Sequence, residues 1–199
     1  MVRSGERLPK TDRRAQIYRA AARIFFEKGY SAASVEDIAE EVGILKGSLY
    51  YYMDSKEDLL FHVIDEAHTG LSRQLEAQED ESISALDELS RLIHVHVRYV
   101  CVNHTEIGVF FNDFRFLSKD RKRVIIAHRD TYDHRLQRII RRGQTSGEIR
   151  DTIDPKIASL GILGMVNWLY QWYRAGGDMK PDEIADELLG LVQSGLAAS

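Results

Sequence analysis

The chain has 199 residues, 44% of them hydrophobic and 29% charged, enough to bury a substantial core as one two-part unit or two small domains. Its formal net charge of −4 excludes a generally basic nucleic-acid coat. Only three prolines and helical periodicity along the whole length predict an all-α fold. The charged N-terminus lacks the apolar segment of a secretory signal, so a cytoplasmic protein is expected.

Residues 1–28 carry eight Lys/Arg (Arg3, Arg7, Lys10, Arg13, Arg14, Arg19, Arg23, Lys28) against Glu6, Asp12 and Glu27, a local balance of +5 that suits phosphate contacts. Within this stretch Ile17, Ala20, Ala21, Ile24 and Phe25 form a helical stripe, which Gly29 ends. Ser34 and Asp37 then spell a capping box. Behind it Val35, Ile38, Ala39 and Val42 make one apolar face, and Gly43 provides a tight turn. Ile44, Leu45 and Leu49 restart the pattern. Lys46, Gly47, Ser48, Tyr50 and Tyr51 remain on the outer side, a composition that fits a helix entering the major groove. Ser55 caps a connecting helix through Leu59, Leu60, Val63 and Ile64, with Glu57 and Asp58 in its positive first turn.

The strings AARIFFEKGY, SVEDIAEEVGILKGSLYYYM and SKEDLL together resemble the TetR family of one-component bacterial regulators, across roughly the first third of the chain. Met53 stands where that family usually carries Phe, and its flexible thioether fills the same gap. The resemblance implies an N-terminal three-helix helix-turn-helix domain (1–54) and a helical effector-binding and dimerisation domain (55–199). It implies a ligand-responsive repressor that binds a near-palindromic DNA operator as a homodimer. Lys46 would read base edges, Gly47 and Ser48 lie beside it, and Ser34, Tyr50, Tyr51 and Lys56 would hold phosphates.

Asp65 to Gln78 continues the connecting helix, and Glu79 to Ser82 mark a solvated break. From Ser84 a stripe of Leu86, Leu89, Ile93, Val97 and Val100 predicts a long helix. Cys101, the only cysteine, cannot form an internal disulfide and is read as a small buried group rather than a redox switch. After a break at Asn103–Thr105, Ile107, Phe110, Phe111 and Phe114 predict a short aromatic helix. A charged helix follows from Lys119 to Arg142, stopped by Gly143 and Gly147, and Asp154-Pro155 opens the next. The loop GQTSGEIRDTIDP resembles the one between the two dimerisation helices of the family. Ile157 to Tyr173 approaches the length of a membrane span, but Ser159, Asn167, Gln171, Gly161 and Gly164 interrupt it, so a helix buried in protein is expected. With Ala158, the two glycines allow a partner helix to approach closely, in a four-helix bundle across a two-fold axis. Pro181 starts a terminal helix.

Tyr99, Phe110, Phe111, Phe114, Met165, Trp168 and Trp172 are read as lining an apolar effector pocket. WLYQWYRAGG looks like the end of the penultimate helix in the acyl-CoA-responsive branch of the family, regulators of fatty-acid or steroid degradation. On that reading Arg174 meets a phosphate or carboxylate and Arg115, Arg121 and Arg123 serve the nucleotide tail; Arg174 equally reads as a helix-end cation. A multidrug sensor of an efflux pump is the alternative, with Glu106 and Asp113 facing cationic drugs. Histidine spacing and the single cysteine give no metal site, and no nucleophile elbow, phosphate loop or acid/base pair points to an enzyme or a cofactor.

Overall fold

The computed structural model describes residues 10–78 and 80–196. Arg3, Glu6, Arg7 and Glu79 lie outside the described residues, as do the side chains of Lys10 and Asp12. Among the described residues the chain is helical throughout, without strands: α1 (Lys10–Lys28), α2 (Val35–Glu41), α3 (Lys46–Leu49), α4 (Lys56–Glu76), α5 (Ala85–Val102), α6 (His104–Asp113), a 3₁₀ turn (Phe114–Phe116), α7 (Lys119–Ser146), α8 (Pro155–Asn167), α9 (Leu169–Trp172) and α10 (Pro181–Leu196). None of these helices is long and apolar enough to cross a membrane.

Two apolar cores result. In the first, Ile17, Ala21 and Phe25 of α1 close on Ile38 of α2, Leu49 of α3 and Met53. This core runs past residue 54: it takes Leu59, Leu60, Val63 and Ile64 from the first half of α4, and Val109 and Phe110 from α6. The second core is built around α5, whose Leu89, Leu92, Ile93, Val97 and Val100 are almost wholly buried against the second half of α4 and against α7, α8 and α10. Cys101 is buried here, and burial pushes its thiol up to about 11, so it is an inert packing group.

Local signals set the ends of most helices. Ser55, Ser84 and Asp154 each accept a backbone N–H of the helix they open. Gly29 (φ 76°), Gly43 (φ 67°) and Gly147 (φ 81°) take the left-handed conformation that ends α1, α2 and α7. Several expected boundaries move. Gly143 does not stop α7, which continues to Ser146. The N–H groups of Glu148 and Gly147 return to the carbonyls of Gly143 and Gln144, so the helix closes one turn later around Gly147. Asn103 alone separates α5 from α6, and Phe114 falls in the 3₁₀ turn beyond α6. The predicted Ile157–Tyr173 helix is interrupted at Trp168; beyond it Leu169 is wholly buried and Tyr170 stacks on Phe111.

Gly143 is a packing position. A Cβ built there would lie 2.6 and 2.8 Å from the Ile149 side chain and 3.0 Å from the Cβ of Ala85, and both neighbours are 1% exposed. Ala gains about 1 kcal/mol of helix propensity over Gly, but a clash with a buried, backbone-fixed methyl costs about 1–3 kcal/mol. Gly143→Ala is therefore expected to lower the thermal midpoint by a few degrees. Calorimetry showing an unchanged or raised midpoint would mean that the Ile149–Ala85 contact yields freely.

Candidate nucleic-acid interface and effector cavity

The α2–α3 unit is assembled by backbone capping. Ser34 Oγ accepts the Asp37 N–H at 3.0 Å, and Asp37 Oδ2 accepts the Ser34 N–H at 2.8 Å. The Lys28 ammonium, 2.8 Å from Asp37, together with these bonds holds that carboxyl down at about 2. Ser34 thus fixes the start of α2, which leaves its hydroxyl a second lone pair. The helix expected to read DNA, α3, is a single turn, so Tyr50 and Tyr51 follow it in turns rather than riding on it. Tyr51 is 80% exposed, Tyr50 half exposed, and Gly47 faces open space. Lys46 is exposed and paired with Glu36 of α2, an exchangeable surface contact. Lys56 lies with its ammonium 4.3 Å from the centre of the Tyr30 ring; partial burial lowers its pKa.

The basic residues of α1 are partly committed elsewhere. Arg13 donates to the Val42 carbonyl at 2.9 Å at the end of α2, Arg23 pairs with Glu41, and Lys28 holds Asp37. Their positive charge still surrounds the turn, but their first job is to clamp α2 onto α1.

Beyond the shared core, polar and packing contacts join this head to the helices behind it. The Tyr30 N–H donates to the buried Asp113 at 3.2 Å, the Ser118 N–H to Glu57 at 2.9 Å, and Arg121 to Asp58 at 2.7 Å. Phe26 packs where Gly108 has no side chain.

A cavity of about 720 Å³ opens between α4, α5, α6, α7 and α8. Leu71, Ile107, Phe110 and Phe111 supply its apolar wall. His68, His96, Tyr132 and Asn167 give the lining its polar part, with His68 set against Phe110. The Tyr132 hydroxyl and His96 Nδ1 are 3.0 Å apart, and Asn167 bonds the same imidazole. Burial drives His96 down to about 4 and raises the Tyr132 phenol, so both are neutral. His68 falls to about 3, first through burial and then through the charges of Arg129 and His128, and its Nε2 has no hydrogen-bond partner. Exposed Arg129, His134 and Lys156 stand at the rim, Arg129 lying 5.8 Å from the Phe110 ring centre.

Of the residues expected to form the pocket, Phe110 and Phe111 line this cavity. Tyr99 is buried in the second core, its hydroxyl beside Gly70 on a different groove, and Phe114 packs against the first core. Met165 packs against the second core. Trp168 and Trp172 are 59% and 47% exposed on the outer surface. Arg174 donates to the carbonyls of Gln171 and Tyr173, as a helix-end cation does. Arg121 is occupied by Asp58, Arg123 by Asp120, and Arg115 lies over Phe116. The polar wall escaped the sequence reading, though a signal existed: His68 and His96 occupy positions within the apolar stripes of α4 and α5.

Two family models match the chain: bacterial regulatory proteins of the tetR family over residues 17–63, and the tetracyclin repressor-like C-terminal domain over residues 82–196. The HTH-type transcriptional repressor KstR2 of Rhodococcus jostii (strain RHA1) is 30% identical, covering 95% of this chain and 93% of that protein. The solved ketosteroid transcriptional regulator KstR2 of Mycobacterium tuberculosis superposes with a TM-score of 0.88 at 24% identity, over 100% of this chain and 98% of that one. The structure of AibR in complex with isovaleryl coenzyme A and operator DNA gives 0.82 at 24% identity, over 90% and 97%.

The neutral histidines carry a stability consequence. An unfolded histidine titrates near 6.5, whereas His96 and His68 in the fold titrate near 4 and 3. Below pH 6.5 the unfolded chain therefore binds protons that the folded chain refuses, and stability falls as pH drops. Each site is expected to cost about 2 kcal/mol by pH 5. Replacing His96 by Asn should flatten the decline in thermal midpoint between pH 6.5 and 4; equal slopes for the two proteins would contradict a neutral His96.

Proposed function

Because this chain belongs to the tetR family of bacterial transcriptional regulators, we propose that it is a dimeric repressor released from its operator by an acyl-coenzyme A thioester in lipid or steroid catabolism. The cavity carries this reading: a space of about 720 Å³ with aromatic walls at one side and cations at its rim. An acyl or cyclic group fits the Phe110–Phe111 wall, and Arg129 and Lys156 offer charge-assisted hydrogen bonds to the phosphates of a coenzyme tail, with His134 beside them. A relative that regulates as a KstR2 repressor and a fold neighbour solved with isovaleryl coenzyme A support it. The multidrug alternative loses its expected carboxylates, since Asp113 is bonded to the Tyr30 backbone and Glu106 lies on the groove beside Tyr99. We retain 1–54 as the DNA-contacting region and 55–199 as the effector and dimerisation region.

The dimer forms through α7 and α8. Ile157, Leu160, Gly161, Gly164 and Trp168 recur at helical spacing along the exposed side of α8, and both glycines face open space. A second copy of α8 covers this strip and sets two reading heads on one duplex. Leu160 and Gly164 also border the cavity, so the partner becomes part of its rim. Ligand acts through helices shared with the head: His68 and Leu71 belong to α4, and Phe110 sits in the head core while facing the cavity. A conformer with filled cavity and splayed heads binds ligand better, and its population rises.

On DNA, Lys46 leaves Glu36 to read a base edge, while Ser34, Tyr50, Tyr51 and Lys56 hold phosphates beside Gly47 and Ser48. Lys46→Ala is expected to relax operator preference at one base pair by about 1–3 kcal/mol. Lys56→Ala weakens all sequences alike and lowers the salt slope by about one. Anisotropy titrations on an operator and its single-base variants check both; unaltered preference in the Lys46 variant removes it from direct readout.

Gly164→Leu overpacks the α8 strip at about 1–3 kcal/mol. Sedimentation should find this variant shifted toward monomer, with weaker operator binding. An undisturbed dimer would place the interface elsewhere. Release of the operator complex by coenzyme A thioesters but not by the matching free acids tests the effector class.

A further inference from the structure

The effector reading leaves the polar inner wall of the cavity without a purpose. Apolar ligands bind best in apolar walls, and a hydrogen-bonding atom buried without a partner costs about 1–3 kcal/mol. Here the ring of His68 forms part of the wall, its edge set against Phe110 with ring centres 4.5 Å apart, and Nε2 is unpartnered. Beside it the Tyr132 hydroxyl has one partner, His96, and keeps unused acceptor capacity. These groups come from three different helices, α4, α5 and α7. Of the charged groups lining the cavity, Arg129, Asp130 and Lys156 are exposed, and the half-buried Asp133 is held by the Ser159 hydroxyl and the Gln137 amide.

We infer that the buried part of the effector bears an uncharged oxygen, a hydroxyl or a carbonyl, which hydrogen-bonds the His68 imidazole against the Tyr132–His96 wall. This deepens the acyl-thioester reading and rests on it for the rest of the ligand. A neutral imidazole offers one donor and one acceptor, so it serves either a carbonyl or a hydroxyl. An ammonium is disfavoured there, because the charges acting on His68, those of Arg129 and His128, are positive; a carboxylate would have to shed its water against neutral donors and acceptors, with Arg129 itself exposed to solvent. A plain saturated chain is disfavoured too, since it leaves the histidine nitrogen unsatisfied. The site therefore selects an oxygenated acyl group over its hydrocarbon counterpart.

The test uses the full-length protein and two ligand series. The first is decanoyl-coenzyme A beside decanoyl-coenzyme A thioesters carrying one keto group at successive carbons from 5 to 9, measured by calorimetry. The second omits the coenzyme: methylcyclohexane, cyclohexanol and cyclohexanone, followed through the ¹⁵N resonance of His68 Nε2. At least one keto thioester should bind roughly tenfold tighter than decanoyl-coenzyme A. The alcohol and ketone should shift the Nε2 resonance, and the hydrocarbon should not. His68→Leu should erase the keto preference, and His68→Gln, which retains a donor and an acceptor, should restore part of it. If thioesters bind with no keto preference and no oxygenated probe moves Nε2, the inference fails while the acyl-thioester reading stands. If the ketone reports at His68 but no thioester binds, the thioester reading fails and the oxygen site stands. A keto preference that survives His68→Leu would assign it to another residue and overturn the proposal.

Discussion

One helix has to satisfy two cores at once. Along the 21 residues of α4, Leu59, Leu60, Val63 and Ile64 are buried in the head, and Ala67, Leu71 and Leu75 continue the same stripe into the helices behind. No linker separates the two parts, so the orientation of the reading turn follows from how α4 lies in the second core. At 1.5 Å per residue the helix spans about 30 Å, and a small tilt at one end becomes a displacement at the other. The remaining contacts between head and body hold that lever in place. Asp113 at the end of α6 takes the Tyr30 N–H, and Arg121 of α7 takes Asp58 in the first turn of α4. Every helix that borders the head also borders the cavity or packs on one that does.

That arrangement explains where polar groups are tolerated in the interior. His68 lies one turn beyond Ile64, where the stripe crosses from the head core to the body core; its ring packs edge-on against Phe110 and lines the same cavity as His96 and Tyr132. Burying neutral imidazoles there makes the interior less stable than an all-leucine version would be, a local conflict of the kind natural sequences retain at functional positions. The neutrality is enforced by the surroundings: burial lowers both histidines, and for His68 the nearby positive charge of Arg129 and His128 acts in the same direction. The wall therefore stays uncharged across the ordinary pH range.

Much of the head was legible because its signals are local. Ser34 and Asp37 bond each other's backbone, Gly43 occupies the left-handed region, and the α1 stripe packs as its spacing demands. The helices behind it were legible as elements, less so in their ends. Gly143 and Gly147 look alike in sequence, but only Gly147 turns left-handed, whereas Gly143 stays helical because Ile149 and Ala85 fill the space a side chain would need. The break at Trp168 likewise depends on tertiary gain, the burial of Leu169 and the Tyr170–Phe111 stack. Aromatic content was a poor guide to the cavity. Periodicity says which residues share a face, not whether that face meets a core, a cavity or a second copy of the chain. The tryptophans expected in the pocket stand exposed for this reason, while His68 and His96 line the cavity.

The exposed side of α8 and the cavity present one problem rather than two. Leu160 and Gly164 belong both to the uncovered apolar strip and to the cavity border. In the proposed dimer, the copy that covers the strip also narrows the opening beside Arg129, His134 and Lys156. A ligand with a buried acyl group and an anionic tail then touches α4 at its inner end and the subunit interface at its outer end. Such a molecule bridges the lever that aims each head and the joint that sets the distance between heads. On the proposed mechanism, small bodies that fill only the inner end lack that second contact and are expected to be weak effectors even where they bind. In the proposed effector, the tail answers to where Arg129 and Lys156 stand, and the chemistry of the body answers to the wall it meets.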